Sequence, residues 1–461
     1  MYATRSFAHH QQQRIQSYTT NSDSYCFFNL LTSDTLLDKV EELLPAHRER
    51  LYPPTQTLSM FLAQAMSADR SCQNSVNQAA VQRLAAGLST SSTYTGGYCR
   101  ARQRLPLEVV SSLTRHLGGL IEQQVPDKWS WQGRRVRVVD GTTVTMPDTR
   151  ANQAVFPQQR GQQAGLGFPI CRLVGITCLA SGALLNAAIS RFHGKGSDEQ
   201  TLLRSIQDTF QPGDIVMSDA FFATYFFIAD MQARGIDILM EQNGARRRST
   251  DFRRGQRLGQ RDHLIIIDKP KVRPGWMSQA QYQAAPASLT VRECKVGGKI
   301  MMTTLYCPKE APKSGLKELY KSRWQVELDI RYIKDVMGMD VLSCKTPEMV
   351  LKEIWVHLLA YNLIRLMMAQ SALLVDITPR SISFKHCLQL WLIGVQTIDT
   401  WNDAQLHGLF VLMSQQRVGN RPGRIEPRAV KRRPKAYPLL TKPREQARIK
   451  VIKNGHPKKL K

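Results

Sequence analysis

Apolar residues recur with helical spacing after a polar start to the chain. Residues 1–32 are rich in Gln, Ser, Thr and His and have no sustained periodicity, so we interpret them as a mobile polar arm. From about residue 34 to residue 124, apolar positions three and four apart predict a series of helices, interrupted at Pro53-Pro54. Residues 34–124 are therefore predicted to be helical.

Beyond about residue 135, short runs rich in β-branched residues replace the helical pattern. The run VRVVDGTTVTMP predicts a strand that enters a turn at Asp140-Gly141, and two apolar runs around Ser181-Gly182 predict a hairpin. Ser197 with Gln200 predicts a capping box at the start of a helix after this hairpin. The strands DIVMS and IDILMEQ follow, separated by a second helix. Together these segments predict a mixed sheet with helices packed on it.

A second β-rich segment, residues 243–310, begins with a basic stretch that has seven arginines against one aspartate. It ends in a predicted hairpin about Gly297-Gly298. Helices resume near residue 313, and the long apolar stretch 354–375 contains polar residues such as Asn362 that a bilayer span would not tolerate. We therefore predict a buried helix there and no membrane span.

The fold class that these patterns predict is α/β, with a helical domain before a mixed-sheet core and a β-rich insertion within that core. The predicted division is a polar arm 1–32, a helical domain 33–130, a first core part 131–242, a β-rich insertion 243–310, a second core part 311–400 and a basic C-terminal region 401–461.

The net charge of the chain indicates the class of its binding partner. Lys and Arg number 63 against 37 Asp and Glu, which gives a net charge of +26. Residues 421–461 hold 15 of these cations and two glutamates, so this tail carries half of the excess. Such a balance favours a polyanion, most commonly nucleic acid, and the tail is expected to add affinity more than specificity. Nine scattered cysteines and no apolar leader predict reduced thiols in a cytosol-like compartment.

A short arginine-bearing helix lies between a polar loop and the helix that begins near Pro106. Arg100 and Arg104 are four residues apart and share a face, with Arg102 beside them. This arrangement is typical of a helix-turn-helix DNA reader, which makes residues 33–130 a predicted DNA-binding domain; the alternative is a solvated basic helix.

Three acidic residues are candidates for metal-dependent chemistry. Asp140 and Asp219 follow predicted strands, and Glu327 lies in a later helix. Taken singly, they could be a turn residue, a helix cap and a member of a surface ion pair. If the fold brings them together, their carboxylates could hold the divalent ions that phosphodiester chemistry uses.

The surroundings of Glu327 are more specific. Tyr320, Arg323, Glu327 and Lys334 are three, four and seven residues apart, so on a helix they lie along one stripe. A tyrosine and two cations beside a carboxylate would suit a metal-bound phosphate, whereas the alternative is a surface ladder of ion pairs. Asp329 is predicted to face away from Glu327 and to be dispensable for cleavage.

This pattern, Y-x2-R-x3-E-x6-K, resembles the signature of DDE transposases of bacterial insertion sequences, in the insertion-sequence-four family. The likeness extends to Asp140-Gly141-Thr142 and to Asp219 with Phe222, and it spans roughly residues 34–445. One departure is Asp219-Ala220, where the family often has Asp-Arg.

The resemblance implies an RNase H-like core that holds two Mg²⁺ ions, for which Mn²⁺ can substitute, with Asp140, Asp219 and Glu327. It implies strand cleavage at the terminal inverted repeats of a mobile element, transfer to target DNA, and a homodimer in the synaptic complex, with no nucleotide cofactor. It also implies a cytoplasmic, nucleoid-associated bacterial protein. By the same resemblance Tyr320, Arg323 and Lys334 contact phosphates. Trp276 is a candidate for stabilising a flipped base, and its alternative role is packing.

Two other functions remain open from the sequence. One is a catalytically silent DNA-binding protein derived from a transposase, and the other is a sequence-independent nuclease. The complete acidic triad argues against the first, and the helical N-terminal segment argues against the second.

Overall fold

A computed structural model describes residues 42–44, 51–85, 87–89, 91–244, 250–394, 403–419 and 440–455. The predictions for the arm 1–32 and for much of the tail lie outside these residues. The helices, in chain order, are α1 Pro54–Met66, α2 Cys72–Ala85, α3 Gly96–Arg104, α4 Leu107–Gln123, α5 Arg150–Val155, α6 Glu199–Ile206, α7 Tyr225–Ala233, α8 Gln279–Ala284, α9 Lys313–Lys321, α10 Gln325–Arg331, α11 Pro347–Leu374, α12 Phe384–Gly394, α13 Asp403–Gln415 and α14 Arg444–Asn454. The strands are β1 Val136–Thr145, β2 Ile170–Cys178, β3 Leu184–Arg191, β4 Ile215–Ser218, β5 Asp237–Glu241, β6 Gln256–Gly259, β7 Asp262–Asp268, β8 Ser288–Val296 and β9 Lys299–Thr303.

The strands within the described residues form one mixed sheet in the order β3-β2-β1-β4-β5-β9-β8-β7-β6. Strands β1, β2 and β3 are antiparallel neighbours, whereas β4 and β5 run parallel to β1. Strand β9 pairs with β5, so the strands of the predicted insertion continue the same sheet. The predicted mixed α/β fold is confirmed, and so are the hairpins at Ser181-Gly182 and Gly297-Gly298.

Two local predictions were wrong. Strand β1 does not turn at Asp140-Gly141, because its pairing with β2 continues without interruption from Arg137 to Thr145. This pairing gives the backbone amide and carbonyl groups of Asp140 and Gly141 hydrogen-bond partners in a straight strand, so no turn is needed. The cap of α6 is Asp198 and not Ser197: the Asp198 carboxylate accepts from the Thr201 amide at 2.9 Å. The Ser197 hydroxyl instead donates to the carbonyl of Gly194.

Helix α11 is the centre of the largest hydrophobic core, and most of its side chains are buried. The predicted buried helix is thus confirmed, and no helix in the described part of the chain is long and apolar enough to cross a membrane. Asn362 of α11 donates to the carbonyls of Thr114 in α4 and Leu184 in β3, and it accepts from the Leu184 amide. This one buried amide joins the helical N-terminal segment, the sheet and α11.

Close packing at this junction depends on a glycine. A Cβ on Gly118 of α4 would lie 2.3 Å from the carbonyl oxygen of Leu184, which is too close for any side chain. Helix α4 therefore lies directly against β3, and the N-terminal helices have a fixed position relative to the sheet.

Candidate active site

Two acidic residues lie at the same edge of the sheet because their strands are parallel neighbours. In the β1–β4 ladder Val138 pairs with Met217; two residues further along the chain come Asp140, within β1, and Asp219, the residue that follows β4. The register of this parallel pair therefore places the Asp140 carboxylate beside that of Asp219. The Asp140 carboxylate accepts from the Gly141 amide at 2.8 Å, and the Asp219 carboxylate accepts from the Phe221 amide at 2.9 Å.

The third acid reaches this edge from a helical segment that packs over the sheet. Helix α9 passes through a 3₁₀ turn, Ser322–Trp324, into α10, and a π-helical turn, Tyr332–Val336, follows. Val326 of α10 and Leu319 of α9 belong to the same buried cluster as residues of β1 and β4. This packing leaves Glu327 on the side of α10 that contacts Arg323, with its side chain 54% exposed.

Arg323 lies between two of the three acids. Its Nη2 is 2.6 Å from Oε1 of Glu327, and its Nη1 is 4.0 Å from Oδ2 of Asp140. Burial raises the pKa of Asp140 to about 6; Arg323 and the Gly141 amide oppose that rise, and the negative charges of Asp219 and Glu327 add to it. Asp140 is therefore a carboxylate whose charge is incompletely compensated, at the point where the three acids approach one another.

The other two residues of the predicted stripe contact β4 and β1. The Tyr320 hydroxyl donates to the Ser218 carbonyl at 3.4 Å, and burial raises the pKa of Tyr320 to about 12, so the phenol keeps its proton at neutral pH. Lys334 Nζ donates to the Thr143 carbonyl of β1 at 2.9 Å. Tyr320, Arg323 and Lys334 each reach the edge that carries the acids.

The donor set suits a hard divalent cation in its chemistry. All three side chains offer carboxylate oxygens, which are the ligands that Mg²⁺ prefers. In the arrangement described, no three His, Cys, Asp or Glu side chains of the described residues form a ready-made metal-binding group. The ion pair between Arg323 and Glu327 is one contact that would have to change before three carboxylates could share an ion.

A fourth carboxylate that the sequence did not reveal lies beside this edge. Glu199, the first residue of α6, packs against Gly141 so closely that a Cβ there would be 2.6 Å from its Cδ. Its Oε1 is 3.6 Å from Nε of Arg172. Burial raises the pKa of Glu199, Arg172 opposes that rise, and Asp219 adds to it. The available signal was Gly141 itself, since a glycine inside a strand often marks a close approach.

Asp329 does face away from Glu327, as its spacing predicts, but its surroundings oppose the expectation that it is dispensable. The side chain is 1% exposed and pairs with Arg365 of α11 and with Arg380, whose Nη1 lies 2.6 Å from Oδ1. Arg365 is buried as well and also donates to the Tyr361 hydroxyl. Removing the Asp329 carboxylate would leave these cations without their counter-ion.

The three arginines of α3 have different environments. Arg100 and Arg104 are exposed, as a role on a DNA-facing surface requires. Arg102 is buried, with its guanidinium carbon 4.6 Å from the ring centroid of Phe61 and 5.2 Å from that of Tyr98. This burial opposes the predicted DNA contact of Arg102, because its side chain would have to leave this aromatic packing to reach a phosphate.

Trp276 lies against α6 and α7. The guanidinium carbon of Arg204 is 3.9 Å from its ring centroid, and the Phe226 ring meets it edge to face at 6.3 Å. A pocket of about 660 Å³ adjoins these side chains, and the indole is 47% exposed. The packing alternative for Trp276 thus has specific partners in the structure.

Comparisons of the sequence with known proteins identify transposases as its relatives. The family described as "Transposase DDE domain" matches residues 131–363, half of the chain. Transposase InsG for insertion sequence element IS4 of Escherichia coli strain K12 is 28% identical over 351 residues, covering 74% of this chain and 78% of that protein. A cryo-EM structure of a piggyBac transposase synaptic complex with hairpin DNA aligns with a TM-score of 0.44 at 9% identity, over 87% of both chains. The chain belongs to the DDE transposase family, as its resemblance to insertion-sequence transposases predicted.

Proposed function

We propose that the protein binds the ends of its own mobile element and catalyses metal-dependent DNA strand cleavage and transfer. The observation that carries the proposal is the convergence of Asp140, Asp219 and Glu327 at one sheet edge, with Arg323 between two of them. The five strands β3-β2-β1-β4-β5 would be the RNase H-like core, and their order and directions support this interpretation.

Asp140, Asp219 and Glu327 would hold the magnesium ions. When bound, these ions would supply activation of the attacking oxygen and neutralisation of the leaving one. The chain's own groups would position the DNA. Tyr320 keeps its proton and can donate to a phosphate oxygen, and Arg323 offers a planar guanidinium that suits phosphate. Lys334 is fixed against β1 and would present its charge near the same strand end.

The N-terminal helices would select the DNA sequence. Arg100 and Arg104 are exposed on α3, and α4 connects that segment rigidly to the sheet. A reader fixed in this way would place the element's end relative to the acids. Arg100→Ala with Arg104→Ala is expected to lower the ratio of end-specific to random binding, whereas a fall in total affinity alone would contradict a reading role.

Excision from a supercoiled plasmid distinguishes the proposed function from its alternatives. A plasmid carrying the element's ends is incubated with the protein, with and without Mg²⁺, beside a plasmid that lacks the ends. We expect Mg²⁺-dependent release of the element from the first plasmid alone. Binding without any strand break would indicate a silent DNA-binding protein, and cutting of both plasmids would indicate a nuclease.

A further inference from the structure

Arg323 has the position of a counter-ion within the acidic group. It donates to Glu327 at 2.6 Å and lies 4.0 Å from Asp140, so one cation bridges two of the proposed metal ligands. Its side chain is only 19% exposed, and its guanidinium carbon is 5.9 Å from the ring centroid of Tyr320. Partial burial makes its charge more effective than that of a fully solvated arginine.

The other cations of this segment do not occupy that position. Lys334 binds the Thr143 carbonyl and pairs with Asp340 at 3.2 Å. Arg331 pairs with Asp335 at 3.3 Å, and both of those side chains are more than half exposed. Arg323 is thus the cation of the signature whose contacts overlap with the oxygens that a metal would use.

We propose that Arg323 is a built-in counter-ion that divalent metal displaces from Asp140 and Glu327, and that this displacement makes its guanidinium available to a DNA phosphate. The inference rests on the proposed function, because it takes those acids as metal ligands. A guanidinium and a divalent ion cannot both be the near neighbour of the same carboxylate oxygens, so the two compete. DNA that engages Arg323 would by the same linkage strengthen metal binding.

Metal binding to the full chain without DNA tests this directly. Mn²⁺ is titrated at pH 8, with free Mn²⁺ followed by its electron paramagnetic resonance signal, into the wild type, Arg323→Ala, Arg331→Ala and Glu327→Gln. Arg323→Ala should bind Mn²⁺ about five- to tenfold more tightly than the wild type, a typical coupling between two sites. Arg331→Ala, the matched loss of an arginine from the same segment, should bind like the wild type. Glu327→Gln should bind more weakly.

A second arm uses an oligonucleotide duplex of the element's end. The duplex should raise the Mn²⁺ affinity of the wild type towards that of Arg323→Ala, and it should raise the affinity of Arg323→Ala much less. Arg323→Lys keeps a cation and is expected to stay within about twofold of the wild type. If circular dichroism reveals that Arg323→Ala is misfolded, Arg323→Gln replaces it.

The outcomes separate this inference from the proposed function. If Glu327→Gln weakens Mn²⁺ binding while Arg323→Ala equals or falls below the wild type, the metal site stands and the counter-ion role is refuted. If Mn²⁺ binding is indifferent to Glu327→Gln, both the metal assignment and this inference fail.

Discussion

Two carboxylates only two residues apart on α10 have opposite environments. Glu327 is half exposed and faces the strand ends, where its partner is Arg323. Asp329 is fully buried on the other side of the helix, where it pairs with Arg365 and Arg380. One face of α10 therefore carries the proposed chemistry, and the opposite face attaches the helix to α11 and the residues that follow it.

The difference shows how a short helix can present a catalytic acid accurately. A seven-residue helix next to a 3₁₀ turn and a π-helical turn has little stability of its own, so tertiary contacts must fix its rotation. The buried ion pairs of Asp329 provide such a contact. We infer that Asp329 maintains the orientation in which Glu327 faces Asp140.

The strongest effect expected on stability is that of Asp329→Ala. Removing one partner from a buried ion-pair network typically costs about 3–5 kcal/mol, because the remaining charges stay buried and unpaired. Thermal unfolding of metal-free protein should therefore give a much lower midpoint for Asp329→Ala than for the wild type. Glu327→Ala, the control two residues away, should unfold close to the wild type. Equal midpoints for the two variants would contradict the contrast between the two faces.

Asp140→Asn, in contrast to Asp329→Ala, should raise the stability of the metal-free protein at neutral pH. The pKa of Asp140 is raised from 3.8 to about 6, so the folded state holds this proton up to a higher pH than the unfolded chain does. Stability from this group is greatest below pH 3.8 and is lost as the pH rises to about 6. At about 1.4 kcal/mol per pH unit, the charged carboxylate costs up to roughly 3 kcal/mol above pH 6.

The measurement is the unfolding midpoint of metal-free wild type and Asp140→Asn from pH 4 to pH 8. The variant should be more stable at pH 7.5, and the two should converge near pH 4. A variant that is less stable at pH 7.5 would show that Asp140, like Asp329, has a mainly structural role.

The smallest effect is expected for Glu199→Gln on strand cleavage. Glu199 lies near the proposed metal ligands without being one of them, so it adds a third case to the comparison of Glu327 with Asp329. Glu199 packs on Gly141, and adjacent residues of a strand face opposite sides of the sheet, so Glu199 lies on the side opposite to the Asp140 side chain. Arg172 already lies beside the Glu199 carboxylate. We therefore expect strand cleavage within about tenfold of the wild type, a barrier change of less than about 1.4 kcal/mol. A loss as large as that expected for the three proposed acids would add Glu199 to the catalytic group.

The sequence predicted most of what depends on neighbouring residues. Hairpins at Ser181-Gly182 and Gly297-Gly298 have turn residues next to each other, and the apolar composition of residues 354–375 predicts the buried helix. The prediction of a turn at Asp140-Gly141 was wrong because pairing of β1 with β2 outweighed the local preference of Asp-Gly for turns.

Partners distant in the chain could not be predicted in this way. The burial of Arg102 depends on Phe61 in another helix, and the role of Asp329 depends on Arg365 and Arg380. The contact of Glu199 with Gly141 was not predictable from local spacing, because it joins α6 to β1. The spacing around Glu327 placed the stripe correctly, whereas the counter-ion position of Arg323 needed the three-dimensional arrangement.

Strand cleavage of labelled element ends by Glu327→Ala tests the central claim most directly. Gel-shift binding without metal accompanies it, and there the variant should bind at least as tightly as the wild type, because a negative charge beside the phosphate has been removed. Cleavage in Mg²⁺ should fall by roughly 10³ or more, since a metal ligand is lost. If Glu327→Ala binds the ends and retains more than about a tenth of wild-type cleavage, the third catalytic acid lies elsewhere and the assignment of this face of α10 is wrong.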